Sequence, residues 1–442
     1  MVAQNNVPGR KLSVLVTSVA ETSLSMKAAG RIIAMACVLS TLAGCRSPTA
    51  EQQVAAVAKK LQELNSGFDG QVTPTIENGE VTGLWFNTDN VTDISPVRAL
   101  AGLKNLSCSG SGSNSVFTSS GRGNVMPGTL KVVSSGKLVD LSPLKGMPLT
   151  NLDCGKTNVS DLSPLKGMPL TNLDCSKTNV SDLSPLKGMP LSELHCGNTL
   201  VSDFSPLEGM PLTSLDCRTT VVSDLSPLKG MPLTNLDCGK TNVSDLTPLN
   251  GMPLSGLHCG NTLVSDFSPL RGMPLTSLDC RTTVVSDLSP LKGMPLTNLD
   301  CGKTNVSDLS PLKDMPLTNL DCGKSNVSDL TPLKGMRLTD LNCESTQVSD
   351  LSPLEGMPLT ELGCDSTNVS DLTPLEGMKL TWFTATPKNI TKGLEVIRQM
   401  KSLKTIGVAW GTKDQFPSDE FWKKYDAGEF GKANRLDAGT PH

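Results

Sequence analysis

Residues Leu170–Pro190 read LTNLDCSKTNVSDLSPLKGMP. This stretch is one turn of a repeat of period 21. Val159, Val180, Val201, Val222, Val243, Val264, Val285, Val306, Val327, Val348 and Val369 fill one slot, and Ile390 closes the series. A fixed period of this length marks a solenoid. Counted from Leu170, positions 1, 4, 6, 11, 14, 17 and 20 are apolar. One coil alone cannot bury them, so the coils must stack. Positions 4 and 6 share one face of a strand. Thr at position 9 is placed to bond backbone groups at the bend.

The return path carries its own punctuation. Ser163, Pro164 and Gly167 read as a capping Ser, a Pro at the first helical position and a Gly at the stop. Thr247, Thr331 and Thr373 keep the hydroxyl where Ser is replaced. The segment has room for one short helical or 3-10 turn. The pattern L-x-x-L-x-C-x-x-T-x-V resembles the leucine-rich-repeat signature, with Cys in a Leu slot and Thr in the usual Asn slot. That resemblance implies an α/β solenoid shaped as a leucine-rich-repeat horseshoe. Parallel β-strands would line the concave face and short helical or 3-10 turns the convex face, with small helical caps at both ends.

Regular coils begin at Leu149 and recur to Leu380. Three irregular ones precede them: Val81–Phe86, Leu103–Cys108 and a degenerate coil over 128–148. The last is anchored by Met126 and Pro127, which stand one full period before Met147 and Pro148. Ser109 to Gly128 is rich in Gly and Ser and reads as a loop. About fifteen coils at roughly 4.8 Å per strand would span an arc on the order of 70 Å. A longer period lies on top: LHCGNTLVSDFSPL occurs at Leu194 and again at Leu257, three coils later.

The ends differ from the array. Glu51–Asn65 reads as an amphipathic helix with Val54, Val57, Ala58, Leu61 and Leu64 on one face. Asn78-Gly79 between apolar runs signals a hairpin. After Ile390, Thr391–Met400 reads as a helix and Leu403–Ile406 as a strand. Ser418 is placed to cap a last helix bearing Phe421, Trp422 and Tyr425. Residues 45–80 are thus a tether and N-terminal cap, 81–390 the array, and 391–442 the C-terminal cap and tail.

The N-terminus carries an export signal. From Met26 the chain reads MKAAGRIIAMACVLSTLAGC, with Lys27 and Arg31 ahead of an apolar run too short to span a bilayer. Leu42-Ala43-Gly44-Cys45 resembles the bacterial lipobox. The resemblance implies a lipoprotein signal peptide over 26–44 and acylation of Cys45. Acylated Cys45 would be the membrane anchor, stable because two or three chains sit on one residue. Residues 1–25 read as a mis-assigned start or a long n-region. Arg46 stands where that export system's inner-membrane lipoproteins carry Asp, which favours the outer membrane. The expected location is exported and membrane-anchored, periplasmic or cell-surface.

The coils, KSLKTIG and FWKKYDAGEF together resemble a family of bacterial leucine-rich-repeat proteins. Some of its members carry the module after a serine/threonine kinase domain. This chain has no Gly-rich loop, H-R-D or D-F-G, so kinase activity does not carry over.

Across its 442 residues the net charge is −4 and no basic stripe appears, which argues against nucleic acid. Cys154 to Cys364 recur once per coil, and Cys108 fits the same slot. One thiol per coil is a line of small buried hydrophobes, not a converging metal site. Disulfides between neighbouring coils stay open on distance, although eleven regular rungs cannot all pair. No metal and no cofactor is assigned. Strand alternation turns position 5 outward: Asp153, Asp174, His195, Asp216, Asp237, His258, Asp279, Asp300 and Asp321. This acidic strip with two His breaks is the candidate partner-binding surface. The plainer reading is a solvated face copied by duplication. Carboxylate pairs here should be open to water and untuned for acid–base work. Trp85 and Trp382 reach the same face beside the caps, and packing against the caps is the simpler account. His195, His258 and His442 are the only histidines, and no nucleophile–base arrangement is present, so no enzyme is expected. The reading is a monomeric, non-catalytic, lipid-anchored envelope protein that binds a protein or glycan. The alternative is a regulatory or sensor module of a bacterial signalling system.

Overall fold

The computed structural model describes residues 47–112, 134–411 and 414–430. Residues 1–25, the signal segment, Cys45, the Met126–Pro127 pair and the tail from 431, His442 included, lie outside the described residues. Two compact units divide between Gln53 and Val54, within the first helix, α1 (Ala50–Leu64). In the first unit, the Thr49 N–H donates to Gln52 Oε1 (3.0 Å) and the Gln52 N–H to Thr49 Oγ1 (3.3 Å). This reciprocal capping box starts the helix one residue earlier than its periodicity suggests.

The second unit holds the array. In its part of α1, Val54, Val57 and Leu61 are buried, but Leu64 is exposed. Buried Asn65 ends that face instead. Its Nδ2 donates to the carbonyls of Leu61 and Asp93, and its Oδ1 accepts the N–H groups of Thr92 and Asp93. Strands β1 (Thr73–Glu77) and β2 (Glu80–Trp85) form the expected hairpin. Asn78 and Gly79 both take positive φ (50° and 80°), as a twist-matched two-residue turn requires.

From β2 the sheet runs parallel through β3 (Asn105–Ser107) and β4 (Asn151–Asp153). Strands β5 to β14 repeat β4 at each coil, from Asn172–Asp174 to Glu361–Gly363. β15 (Trp382–Thr384) and β16 (Thr405–Gly407) complete the ladder, and β17 (Gln415–Pro417) closes it antiparallel. Position 4 of each coil pairs in register with position 4 of the next, as in Leu152 with Leu173. The Leu, Cys, Val and Met columns are buried throughout. Helices α2 (Leu394–Arg398) and α3 (Ser418–Asp426) belong to the C-terminal cap.

Two features depart from the sequence reading, and a third was not foreseen in it. First, of the coil expected over 128–148, the part from 134 on is not a coil of its own, and 128–133 lie outside the described residues. β3 pairs directly with β4, so Ser107 and Asp153 stand 46 residues apart where neighbours in the regular array stand 21 apart. Leu138, Leu141, Leu144 and Met147 fill positions 11, 14, 17 and 20 of the coil begun at Leu103. That coil carries an insertion, and KSLKTIG supplies an extra parallel strand beyond Ile390 instead.

Second, the repeated Ser is not the cap. The 3-10 turn comprises Ser163–Leu165, with Ser163 inside it. Asp161, at position 13, does the work: its Oδ1 accepts the Ser163 N–H and its Oδ2 the Ser163 hydroxyl, both at 2.7 Å. An Asp carboxylate reaching a backbone N–H two residues on is a local turn device. It recurs at Asp182, Asp224 and Asp287, whose carboxyls are held below the usual range by the following Ser hydroxyl and N–H. Gly167 does stop the turn, at φ +75°. Likewise Ser418 is the first residue of α3 and its side chain makes no cap.

Third, position 8 is left-handed. Lys156, Thr219, Asn261 and their equivalents sit at φ of 53–59°. Lys and Thr tolerate this poorly, so the bend is imposed by the stack. The Thr at position 9 bonds as expected: Thr157 Oγ1 donates to the Cys154 carbonyl at 2.6 Å.

Cys108 and the eleven array cysteines are free and buried. Several donate to the next coil's backbone, as Cys217 Sγ does to the Asp237 carbonyl (3.3 Å). Burial pushes the Cys238 thiol up to about 12, so it stays protonated and inert.

Candidate binding face

Strand alternation brings positions 3 and 5 to one face, and the bend at positions 7 and 8 borders it. All the predicted position-5 residues, from Asp153 to Asp321, fall in that single column, paired strand to strand.

Their carboxylates are not idle. One oxygen of each Asp accepts the N–H two residues on, at 2.8 to 3.1 Å: Gly155 for Asp153, Ser176 for Asp174, Arg218 for Asp216, Gly239 for Asp237. Asp279, Asp300 and Asp321 do the same with Arg281, Gly302 and Gly323. The column therefore holds the bend in place, and only the second oxygen faces outward. This bond, copied with each coil, explains much of the recurrence of Asp in the column.

Nor are they open to water. Asp216 is buried, and the Asp237 and Asp300 side chains are about three-quarters covered, at 23% and 25% exposure. Burial, then the neighbouring Asp321, raises Asp300 to about 6. Burial also raises Asp237. Asp216 goes the other way. Burial acts to raise it, but His195 and the Arg218 N–H and guanidinium outweigh that and hold it below the usual range. His195 is raised by the Asp216 carboxylate beside it, 4.0 Å away. The expectation of an untuned, water-exposed strip is thus corrected: tight strand spacing covers one Asp with the next.

The sequence reading missed two residues that reshape the strip. Arg218 reaches Asp216 Oδ2 at 2.7 Å and Asp237 Oδ2 at 3.6 Å. Arg281 repeats this on Asp279 (2.7 Å) and Asp300 (3.4 Å). His258 lies 4.0 Å from Asp279, as His195 does from Asp216. So one His–Asp–Arg–Asp arrangement occurs twice, three coils apart. The signal was in the sequence: position 7 is Gly or Ser in most coils and Arg in these two.

A groove of about 700 Å³ runs along the bend beside these clusters. Lys177, Arg218, Lys240, Arg281 and Lys303 line it, with Asp216, Asp237, Asp279 and His258. Both arginines are spent on carboxylates. Among the described residues, no carboxylate lies within 4.0 Å of the Lys177, Lys240 or Lys303 ammonium groups. The groove is mixed in charge with free cations, not simply acidic. Among the described residues no three His, Cys, Asp or Glu converge as a metal site would need.

The two tryptophans part company. Trp382 packs edge-on against Trp410, with ring centres 3.9 Å apart, and its indole N–H reaches Gln415 Oε1 (3.3 Å). It belongs to the cap, as read. Trp85 does not: it is 50% exposed, because the hairpin pairs beside it and leaves its ring uncovered.

A parallel ladder with one Leu-lined strand and one 3-10 turn per coil defines a leucine-rich-repeat protein. Its structure is similar to an internalin, InlF, from Listeria monocytogenes, with a TM-score of 0.60 and 23% identity over 79% of this chain and 98% of that one. The functional domain of InlJ from Listeria monocytogenes, which includes a cysteine ladder, matches with a TM-score of 0.50 and 25% identity, covering 72% of each chain. A plant peptide hormone receptor, RGFR1, in complex with RGF2, shares the fold at a TM-score of 0.50 and 14% identity, over 76% of this chain and 67% of that one. No protein-family model and no curated protein sequence matches the chain.

Proposed function

We propose that this is a lipid-anchored envelope protein whose strand face and its bordering groove bind a macromolecular partner without catalysis. The observation that carries the reading is the single groove with its duplicated charged cluster. A rigid ladder holds unpaired Lys177, Lys240 and Lys303 beside fixed Asp–Arg pairs. A preordered surface loses little entropy on binding, so modest contacts over several coils add up. The fold supports this use, since one solved protein that shares it is a plant peptide hormone receptor in complex with RGF2. Anchoring rests on the lipobox-like LAGC at Cys45. No helix among the described residues is long and apolar enough to cross a membrane. Periplasmic or cell-surface display, with the outer membrane favoured by Arg46, completes the proposal.

Two measurements test it. In a bacterial host, the mature chain should begin at Cys45, carry acyl mass and fractionate with membranes, and Cys45→Ala should abolish all three. A soluble, unprocessed chain would sink the anchor. For the surface, a photo-crosslinking residue at position 240 should capture a partner in cells, and Lys303→Glu should weaken that capture. The same probe at position 229, on the 3-10 side, should not. Lysines are chosen over the aspartates because the Asp column also anchors the bend. Equal capture from both sides would remove the strand face from consideration.

A further inference from the structure

A second hollow lies at the N-terminal end of the strand face, apart from the charged groove. It measures about 430 Å³, and Trp85, Asn105, Asn151, Asn172, Asp174 and His195 line it. Trp85 stands at position 5, where the regular coils mostly carry Asp. Its ring has no aromatic partner and its indole N–H no acceptor among the described residues. Nothing in the packing of the ladder requires an exposed indole there, and exposed Trp concentrates at recognition sites.

The polar groups beside it are organised and half used. Asn151 Nδ2 donates to Asn105 Oδ1, which leaves the Asn105 amide N–H groups free. Asn172 Oδ1 accepts from the Thr171 hydroxyl (2.9 Å), which leaves its own amide N–H groups free. Asp174 Oδ1 takes the Ser176 N–H, and Oδ2 remains open. Donors and acceptors thus stand in two rows next to one flat apolar ring, and no Lys or Arg enters the hollow.

A sugar ring presents the complement: a flat C–H face, and a rim of hydroxyls that each donate and accept. We propose that this hollow binds a neutral oligosaccharide, one ring stacked on Trp85 and its neighbours hydrogen-bonded by the Asn105–Asn151–Asn172 row and Asp174. Trp85 and Asn172 stand three strand intervals apart, about 14 Å, so a chain of linked rings is needed to reach both. An extended peptide fits less well. An acidic one in particular would find no Lys or Arg in the hollow to pair with, and the open Asp174 Oδ2 would repel it. The proposal rests on the reading of the strand face as a binding surface and names the ligand class for one end of it.

The test is calorimetric titration of the whole protein with neutral tri- and tetrasaccharides of glucose, galactose, mannose and N-acetylglucosamine, followed also by tryptophan fluorescence. At least one should bind with a Kd of about 1 mM or tighter. Trp85→Ala should weaken it by about tenfold or more, Trp85→Phe by less, and Asn172→Ala by several-fold. Trp85 is half exposed, so an unchanged melting temperature will show that the fold is kept. No binding by any of these sugars at about 10 mM would overturn the proposal. So would binding that Trp85→Ala leaves unchanged, or capture of an acidic peptide at Trp85 with no sugar bound. Crosslinking at position 240 reports on the charged groove alone, so the two readings can fail separately.

Discussion

Gly363→Asp restores the residue that most coils carry at position 5, and it should destabilise the protein. A Cβ at Gly363 would stand 2.2 Å from Trp410 Cε3 and 2.8 Å from Asn342 Oδ1. Trp410 is held from two other sides, by the ring of Trp382 and by its own N–H bonded to Asp365 Oδ1 at 3.0 Å. It cannot retreat without losing those contacts. Overpacking against a fixed aromatic costs about 1–3 kcal/mol, and a carboxylate forced under an indole adds to that. The loss should fall on the last coils, because a stacked array transmits stability chiefly between nearest neighbours. Thermal unfolding followed by hydrogen exchange should show the C-terminal coils opening first. Gly256→Asn is the control. It restores the common residue at position 3, where a Cβ meets only the flexible Asn235 side chain at 2.8 Å. Equal losses in the two variants would mean that Trp410 is not what demands a glycine at 363.

Asp300→Asn should stabilise the protein at pH 7.5 and do almost nothing at pH 4. Burial and Asp321 raise the folded-state carboxyl from 3.8 to about 6. The folded protein therefore holds this proton more tightly than the unfolded chain. That contribution is complete below pH 3.8 and is lost as pH rises through 6. A rise of about two pH units corresponds to about 3 kcal/mol, which partial exposure reduces to about 2. An amide keeps the bond to the Gly302 N–H while shedding the charge. Asn342 already does this, accepting the Glu344 N–H at 3.0 Å. Urea unfolding at the two pH values decides it: a gain of the same size at both would exclude proton linkage as the cause.

These two variants mark where the repeat could and could not be read. The ladder was legible because period 21 and the apolar slots leave one way to stack the coils. The Asn78-Gly79 hairpin was legible because its two positive φ angles need those residues. The boundary at Leu103–Pro148 was not. Met126 and Pro127 match the period by position, but β3 bonds directly to β4, and register is set by that pairing. The capping Ser was misread because Ser, Pro and Gly fit the helix rule. Instead Asp161 accepts both the N–H and the hydroxyl of Ser163, which turns that hydroxyl back onto the Asp and away from the N–H groups ahead of it. On the strand face, the sequence showed that position 5 forms one column but not the chemistry of that column. A strand pattern shows which side chains point outward, but not how closely neighbouring coils cover each other's carboxylates. It also could not show that Arg218 would reach across to the next coil's Asp237. Gly363 breaks the column where Trp410 lies over it, a contact no repeat pattern shows.

The twofold occurrence of the His–Asp–Arg–Asp arrangement also bears on how such a protein can change over time. The two copies are interchangeable at their junctions, since each offers its neighbour the same strand register and the same backbone bond at the bend, Asn198 N–H to the Arg218 carbonyl and Asn261 N–H to the Arg281 carbonyl. Misaligned recombination between them would delete or add three coils at once and leave every interface in the stack intact. The charged groove would lengthen or shorten by one whole cluster, while the Trp85 hollow and the Trp382–Trp410 cap stayed untouched. Length variants among natural alleles are then expected in steps of three coils, each an intact stack whose strand face has a different reach.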